Sequence, residues 1–523
     1  MSERNTQLIE SWLKECSLST CCGTAASGSL FIPTRLLDLE PEWIDHGTDG
    51  DVRLTETTES HMQTASERSL LRYAALSYCW GSSGPPLRTT PETLAQYKQR
   101  IKFDEMPQVF REAVFVARKL RLRYIWMDAL CIVQDDTEDW ENESVQMSDI
   151  FAHSFVTIGA AAASSCHESF LQRASKHTIT IPFQSTVNPK VSGQYSVHCL
   201  EGEYVKPETP TVPSRWDSRA WVWQEQMMAK RLLVFDKKQL QMRCSQYRRM
   251  ENGHRLSENY TLDKSFRTDW YTWIRSYSQR EITYPRDRLG AVSGVAKYFS
   301  RRLKENGRPA EYLAGLWRDE SLERDLRWVI TEPRLSYKEM MEALNDERSY
   351  CAPSWSWASR NQGVDFLCKG ISTTFEVKQC HLPPAASDAT VAVKPGSYIT
   401  LRGKLARTPI KPTDGVAIDL DGGSWQSNVA WEVNSPAFGH MRYYLDWAPT
   451  IQADLAEENA LSRLELLLLA RGSTRVGREC SGVLLLPFES SRGLLYRRVG
   501  AFDSDDRDIP WLTDVLESEV TIV

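Results

Sequence analysis

The sequence predicts an α/β N-terminal domain built on a parallel sheet flanked by helices, followed by a mostly helical region and a β-rich C-terminal domain. Three observations carry this. Strand and helix signals alternate from Tyr73 to Ala161, the pattern of a parallel sheet with crossover helices. Residues 260–350 carry apolar side chains mostly at helical spacing. Beyond "APSWSWAS" (352–359), short β-type runs are split by Gly, Pro and Asp. The boundaries that follow are 1–70 for a lead-in, 71–235 for the α/β domain, 236–360 for its mostly helical extension and 361–523 for the β-rich domain.

In the lead-in, Thr6 to Lys14 reads as a short helix and "LFIPTRLLDL" as extended chain, with the small-residue stretch "CCGTAASGS" between them. The acidic, Ser/Thr-rich run 45–69 reads as a loop or hairpin of low order. Tyr73 to Tyr78 is the first strand. In "MPQVFREAVFVARKLRL" the residues Phe110, Ala113, Val114, Ala117 and Leu120 share a helix face, and Pro107 sits where a missing N–H does no harm. "RYIWMD" is the second strand. A helix follows with Trp140, Ser144, Met147 and Phe151 on one stripe, and "FVTIGAA" is the third strand. After weaker signals and the loop "VKPETPTVP", "SRAWVWQEQMMAKRLLVF" reads as a helix running into a strand. The last third gives "SYITLRGKLAR", "MRYYLDW", "GVLLLPF" and similar short strands, whose spacing suggests a β-sandwich or barrel-like domain.

Composition narrows the function. The net charge of −6, from 69 acidic and 63 basic residues without long runs, argues against a dedicated nucleic-acid surface. The charged N-terminus has no apolar core of a signal peptide. "LELLLLA" (Leu464 to Ala470) is far too short for a transmembrane segment. Twelve cysteines without a C-x-x-C pair suggest free thiols in a reducing compartment, so an intracellular, cytoplasmic protein without a structural metal is expected.

Ligands of a parallel α/β sheet sit outside the carboxyl ends of its strands. The first strand ends in Ser77, Tyr78, Cys79 and Trp80. The second ends at Asp128, with Cys131 and Gln134 in the next loop. These residues are therefore expected on one rim, or else as a corner turned by Gly81 beside a packed tryptophan. At about 100° per residue, Glu143 falls on the apolar face of its helix. A carboxylate there needs a partner, so it is either a structural ion pair, for instance with Arg219, or a group tuned for a ligand. Arg219, Gln224 and Glu225 complete the candidates, although the latter two also fit a helix start. No G-x-G-x-x-G, P-loop or H-E-x-x-H is present, and no cofactor is predicted.

"YAALSYCWG", the run from "LRYIWMD" to "FVTIGAA", and "SRAWVWQEQMMAKRLLVF" resemble the three blocks of the fungal heterokaryon-incompatibility (HET) domain in order and spacing. "FIPTRLLDL", "TYPRDRLGAVSGVA", "YLAGLW" and "APSWSWAS" also resemble stretches found in such proteins. The resemblance spans roughly Phe31 to Ser359. It implies an intracellular fungal protein that triggers programmed cell death on non-self fusion, with a protein partner or self-association. It also implies a TIR-like, flavodoxin-like layout. Some TIR domains hydrolyse NAD with a glutamate after the third strand, which would make NAD a substrate here and Glu168 of "SSCHESF" the matching residue. Glu143 matches the HET pattern instead, and the sequence does not choose between them. With neither P-loop nor repeat to sense a trigger, a HET-like protein adapted to secondary metabolism or regulation is a third expectation.

Overall fold

The computed structural model describes residues 1–18, 31–40, 50–57, 71–172, 178–198, 214–257, 266–348, 350–367, 372–384, 390–407, 416–420, 428–435, 439–448, 455–473, 478–504 and 509–523. The small-residue stretch 21–29, most of the acidic run 45–69 and the proline-bearing loop 205–213 lie outside them. The chain divides into two compact units, Met1–Thr261 and Leu262–Val523.

The first unit contains strands β1 (Arg35–Asp38), β2 (Arg53–Glu56), β3 (Tyr73–Ser77), β4 (Tyr124–Trp126), β5 (Val156–Gly159), β6 (Thr178–Gln184), β7 (Ser192–His198), β8 (Arg231–Phe235), β9 (Leu240–Cys244), β10 (Tyr247–Met250) and β11 (Arg255–Ser257). All except the β6–β7 hairpin join one nine-stranded sheet in the order β11-β10-β9-β8-β5-β3-β4-β1-β2. Its helices are α1 (Glu3–Leu18), α2 (Leu94–Gln99), α3 (Gln108–Lys119), α4 (Asp128–Cys131), α5 (Thr137–His153) and α6 (Ala220–Met228).

This corrects the predicted fold class, because the sheet is mixed and only its inner four strands are parallel. β3 pairs in parallel with β4 and with β5, and β5 with β8. β1 and β2 close one side antiparallel, and β9 to β11 close the other. Connection length explains the second set. Residues 236–239 are too few for a crossover, so β9 can only fold back beside β8 as an antiparallel neighbour.

β3 is buried along its whole length, "YAALS", because both faces of the sheet are covered. Helix α3 buries Val109, Phe110, Ala113, Val114, Val116 and Ala117, each apolar side chain of Val or Phe size contributing roughly 1.5–3 kcal/mol. Helix α5 buries Met147, Ile150 and Phe151, and Phe151 meets Trp126 edge-on at 5.7 Å between centroids. The Tyr73 hydroxyl, at the start of β3, donates to the Ile150 carbonyl at 2.6 Å. That bond ties α5 to the central strand.

A mostly helical 236–360 is also corrected. Helices Phe266–Ser278, Gly290–Glu305 and Tyr337–Asn345 are present there. Strands Glu311–Leu313, Leu316–Arg318 and Trp328–Ile330 lie between the second and the third of them, and β9 to β11 precede all three. The C-terminal part is β-rich. Five of its strands, Tyr398–Arg407, Glu465–Ser473, Arg478–Ser490, Gly493–Ser504 and Glu517–Ile522, close into a barrel. Within the second unit, Asp446 is fully buried and accepts hydrogen bonds from Arg498 at 2.9 Å and Arg360 at 3.0 Å. The Arg498 guanidinium lies 3.4 Å from the Trp328 ring centre. Two buried cations against one anion are held by this cation–π contact and by backbone carbonyls.

Candidate functional site

The chain leaves β3 for β4 on one side, then crosses back to β5 on the other. Where connections diverge like this, a crevice opens at the carboxyl ends of the strands. Here that place lies between Ser77 and its register partner Gly159. A Cβ on Gly159 would stand 2.8 Å from Cζ2 of Trp216, so glycine lets the indole lie across the strand end. Trp216 is buried, and its Nε1–H donates to Ser77 Oγ at 2.8 Å. Gly81 turns the corner at φ 89°, and a Cβ there would meet Ser165 Cβ at 2.7 Å. The Cys-Trp-Gly corner is thus a tight turn that delivers polar groups to the rim.

Asp128 opens α4 at the end of β4. Its Oδ2 accepts from Trp80 Nε1 at 2.7 Å and its Oδ1 from the Ala129 N–H at 2.7 Å. Burial pushes the Asp128 carboxyl up, and Tyr78, Trp80 and Arg219 pull it back. The Tyr78 hydroxyl is buried without a well-formed hydrogen bond, yet it lies close enough to Asp128 to couple to it. Burial, with the Asp128 charge second, drives that phenol well above its ordinary range. The Tyr78 ring packs edge-on against Phe110 at 5.3 Å.

Glu225 and Arg219 come from the other side of the crevice. Glu225 is 9% exposed and lies well inside α6 rather than in its first turn, so the helix-start explanation does not apply. Burial pushes its carboxyl up to about 7, helped by the Asp128 charge and countered by Ser77 and Arg219. Its Oε2 has no hydrogen-bond partner among the described residues. Arg219 Nη1 donates to the Tyr78 carbonyl at 2.6 Å, and the guanidinium sits beside the buried Cys79 thiol. Among the described residues no carboxylate forms an ion pair with Arg219. Burial raises the Cys79 pKa, so it is a poor nucleophile there. Gln224 is buried on the same helix.

Glu143 sits elsewhere. It is buried, but its surroundings are Thr34, Arg35, Asp139 and Cys131 rather than the rim or Arg219. Arg35 grips Asp139 through both terminal nitrogens, one at 3.0 Å, and also donates to the Cys131 carbonyl at 2.7 Å. Burial raises the Glu143 carboxyl, and Thr34 and Arg35 oppose this. Cys131 is buried, with its thiol pushed up to about 12 by burial. Gln134 braces its own loop through the Asp128 and Ile132 carbonyls, both at 3.2 Å. Glu168 is exposed and accepts from the Ser164 N–H at 2.8 Å, a local loop closure.

Of the residues singled out from sequence, Ser77, Tyr78, Cys79, Trp80, Asp128, Arg219 and Glu225 therefore meet at one rim. Cys131 and Glu143 belong to a second cluster. Sequence reasoning missed Trp216, two residues before the "SRAWVWQEQ" block, and the Arg35–Asp139 pair. For Arg35 the signal was the "FIPTRLLDL" stretch. Among the described residues, no group of His, Cys, Asp and Glu is placed to hold a metal ion, and no helix is long and apolar enough to cross a membrane.

Residues 73–225 match the family model described as heterokaryon incompatibility protein (HET). No curated protein and no solved structure matches the chain.

Proposed function

We propose that this chain is an effector of the heterokaryon-incompatibility type, with the α/β sheet rim as its working site. One observation carries the reading: the HET match starts at the first residue of β3 and ends at Glu225. The segment shared with the family therefore contains every residue of the rim cluster, from Ser77 to Glu225. The Arg35 side of the second cluster lies outside it. Such an effector acts inside the fungal cell and meets a protein partner or a second copy of itself. The test is inducible expression in a fungal host, following growth against an uninduced control. Growth arrest is the expected result, and unimpaired growth favours a HET-like protein adapted to metabolism or regulation.

The pairing of Asp128 with Glu225 supports a second reading, hydrolysis of a nucleotide such as NAD. Both carboxyls are raised by burial and act on each other, and a pair of carboxyl groups is the usual equipment for acid–base work on a sugar bond. Measuring the NAD pool in the same cultures separates the two. Arrest with a falling pool supports hydrolysis, and arrest with an unchanged pool supports a signalling effector.

A further inference from the structure

The Glu225 side chain is an unusual thing to leave inside a folded protein. It is nine-tenths buried, and Oε2 finds no donor among the described residues. A buried polar atom without a partner forfeits its hydration with nothing in return and needs a reason. Arg219, a few residues upstream, is also under-used. It donates to the Tyr78 carbonyl, lies against the Cys79 thiol and makes no ion pair among the described residues, although Asp128 and Glu225 are both close enough to act on it. Asp128, in contrast, is held in place by Trp80 and the Ala129 N–H. It keeps spare lone pairs, because a carboxylate offers about four acceptor sites.

The three groups differ in hydrogen-bonding sense. An ionised carboxylate only accepts, a guanidinium only donates, and a protonated carboxyl does both. Adjacent hydroxyls on a sugar ring need a donor and an acceptor side by side, and an attached phosphate suits a guanidinium. We propose that the rim binds the ribosyl phosphate part of a nucleotide, with Glu225 bound as the neutral carboxyl donating to one ring hydroxyl. Asp128 accepts from the neighbouring hydroxyl, and the remaining N–H groups of Arg219 face the phosphate. Loss of the Glu225 proton then turns a donor into a second anion beside Asp128 and weakens the complex. The inference rests on the second reading above for the identity of the ligand, not for its turnover.

The groups acting on Glu225 are Ser77 and Cys79 at the end of β3, Asp128 at the start of α4 and Arg219 before α6. Helix α5, packed against α6, contributes none. Burial leaves the Cys79 thiol above its ordinary value of 9.0, so it stays protonated through neutrality.

The test is calorimetric titration of the full chain with NAD as the probe, between pH 6 and 8.5, with released nicotinamide assayed in the same samples. Wild-type affinity is expected to fall roughly tenfold per pH unit above neutrality, as required when only the protonated form binds. Glu225→Gln, which keeps the shape and a permanent donor, is expected to bind with little pH dependence. Parallel pH profiles in the two proteins, or no NAD binding at any pH, overturn the proposal. Should Glu225→Gln fail to fold, the wild-type profile decides: a flat affinity from pH 6 to 8.5 overturns it. Binding with the predicted profile but without nicotinamide release removes the hydrolysis reading and leaves this one standing.

Discussion

Two buried glutamates in the same sheet domain have opposite surroundings. Glu143 faces Thr34 and an arginine already committed to Asp139 through two hydrogen bonds. Glu225 faces Ser77, a second carboxylate and an arginine with no carboxylate of its own. Each has one unpartnered oxygen. The difference lies in the cations. Around Glu143 both terminal nitrogens of the guanidinium hold β1 to the α4–α5 region, through the Cys131 carbonyl and Asp139, and only Nε has no partner among the described residues. Around Glu225 the guanidinium has donors left, and its neighbours Trp80 and Asp128 are partly exposed. Burial alone does not separate the two carboxylates; what separates them is whether the neighbouring cation already holds a carboxylate.

Breaking the second cluster should give the largest effect. Arg35→Ala strands Asp139 and Glu143 without their cation, and removing one partner of a buried ion pair costs about 3–5 kcal/mol. Chemical denaturation of the variant should show that loss of stability. A loss below about 1 kcal/mol would mean that the pair is not structural and that the contrast is misdrawn.

The pH dependence of stability sharpens the other side. The folded-state pKa of Glu225, about 7, lies above its ordinary 4.5. The stability tied to its proton is therefore fully present below about pH 4.5 and lost as pH rises through about 7. At 1.36 kcal/mol per pKa unit, this is on the order of 3 kcal/mol. Glu225→Gln should accordingly gain up to about that much relative to wild type between pH 5 and pH 8, read as a difference in denaturation midpoints. An unchanged difference across that range would place the carboxyl in contact with solvent or with a donor.

Glu168 should give the smallest effect. It is exposed and closes only its own loop through Ser164. Glu168→Ala is expected to stay within about 0.5 kcal/mol of wild type in stability and to arrest growth as wild type does. Loss of arrest in a folded Glu168→Ala protein would move the working site to the loop after β5.

The rim was legible because strand ends follow a rule. Tyr73 to Ser77 is apolar enough to be a buried strand, and whatever follows such a strand in a parallel core lands at the carboxyl edge. That logic alone collects Ser77, Tyr78 and Asp128. Glu225 could be named but not interpreted, since two of the groups around it, Ser77 and Asp128, come from the ends of β3 and β4, far back in the chain. Glu143 was assigned to the buried face of α5, where it is, but its partners come from Thr34 and Arg35, more than a hundred residues earlier. Helical periodicity says which way a side chain points and not what meets it.

The pairing of the sheet edges was hidden for a related reason, although β1 lies within the stretch read as extended. β1 and β2 are only four residues each, and β1 reads "RLLD" with all four residues buried, so neither shows a period-2 alternation. Closure of the C-terminal barrel is non-local as well. The last strand, Glu517–Ile522, pairs antiparallel with Tyr398–Arg407 and meets Gly493–Ser504 through one parallel pairing, Tyr496 with Ile522. Strand signals counted along the chain reveal a β-rich region, sandwich or barrel-like, but not which strands close it.

The contrast between the two glutamates is tested most directly by growth of a fungal host after induced expression of wild type, Glu225→Ala and Glu143→Ala, each checked for folding by its melting temperature. The account predicts arrest by wild type and by folded Glu143→Ala, and normal growth with folded Glu225→Ala. Arrest by Glu225→Ala together with growth of Glu143→Ala would place the working site at the Arg35 cluster and contradict it.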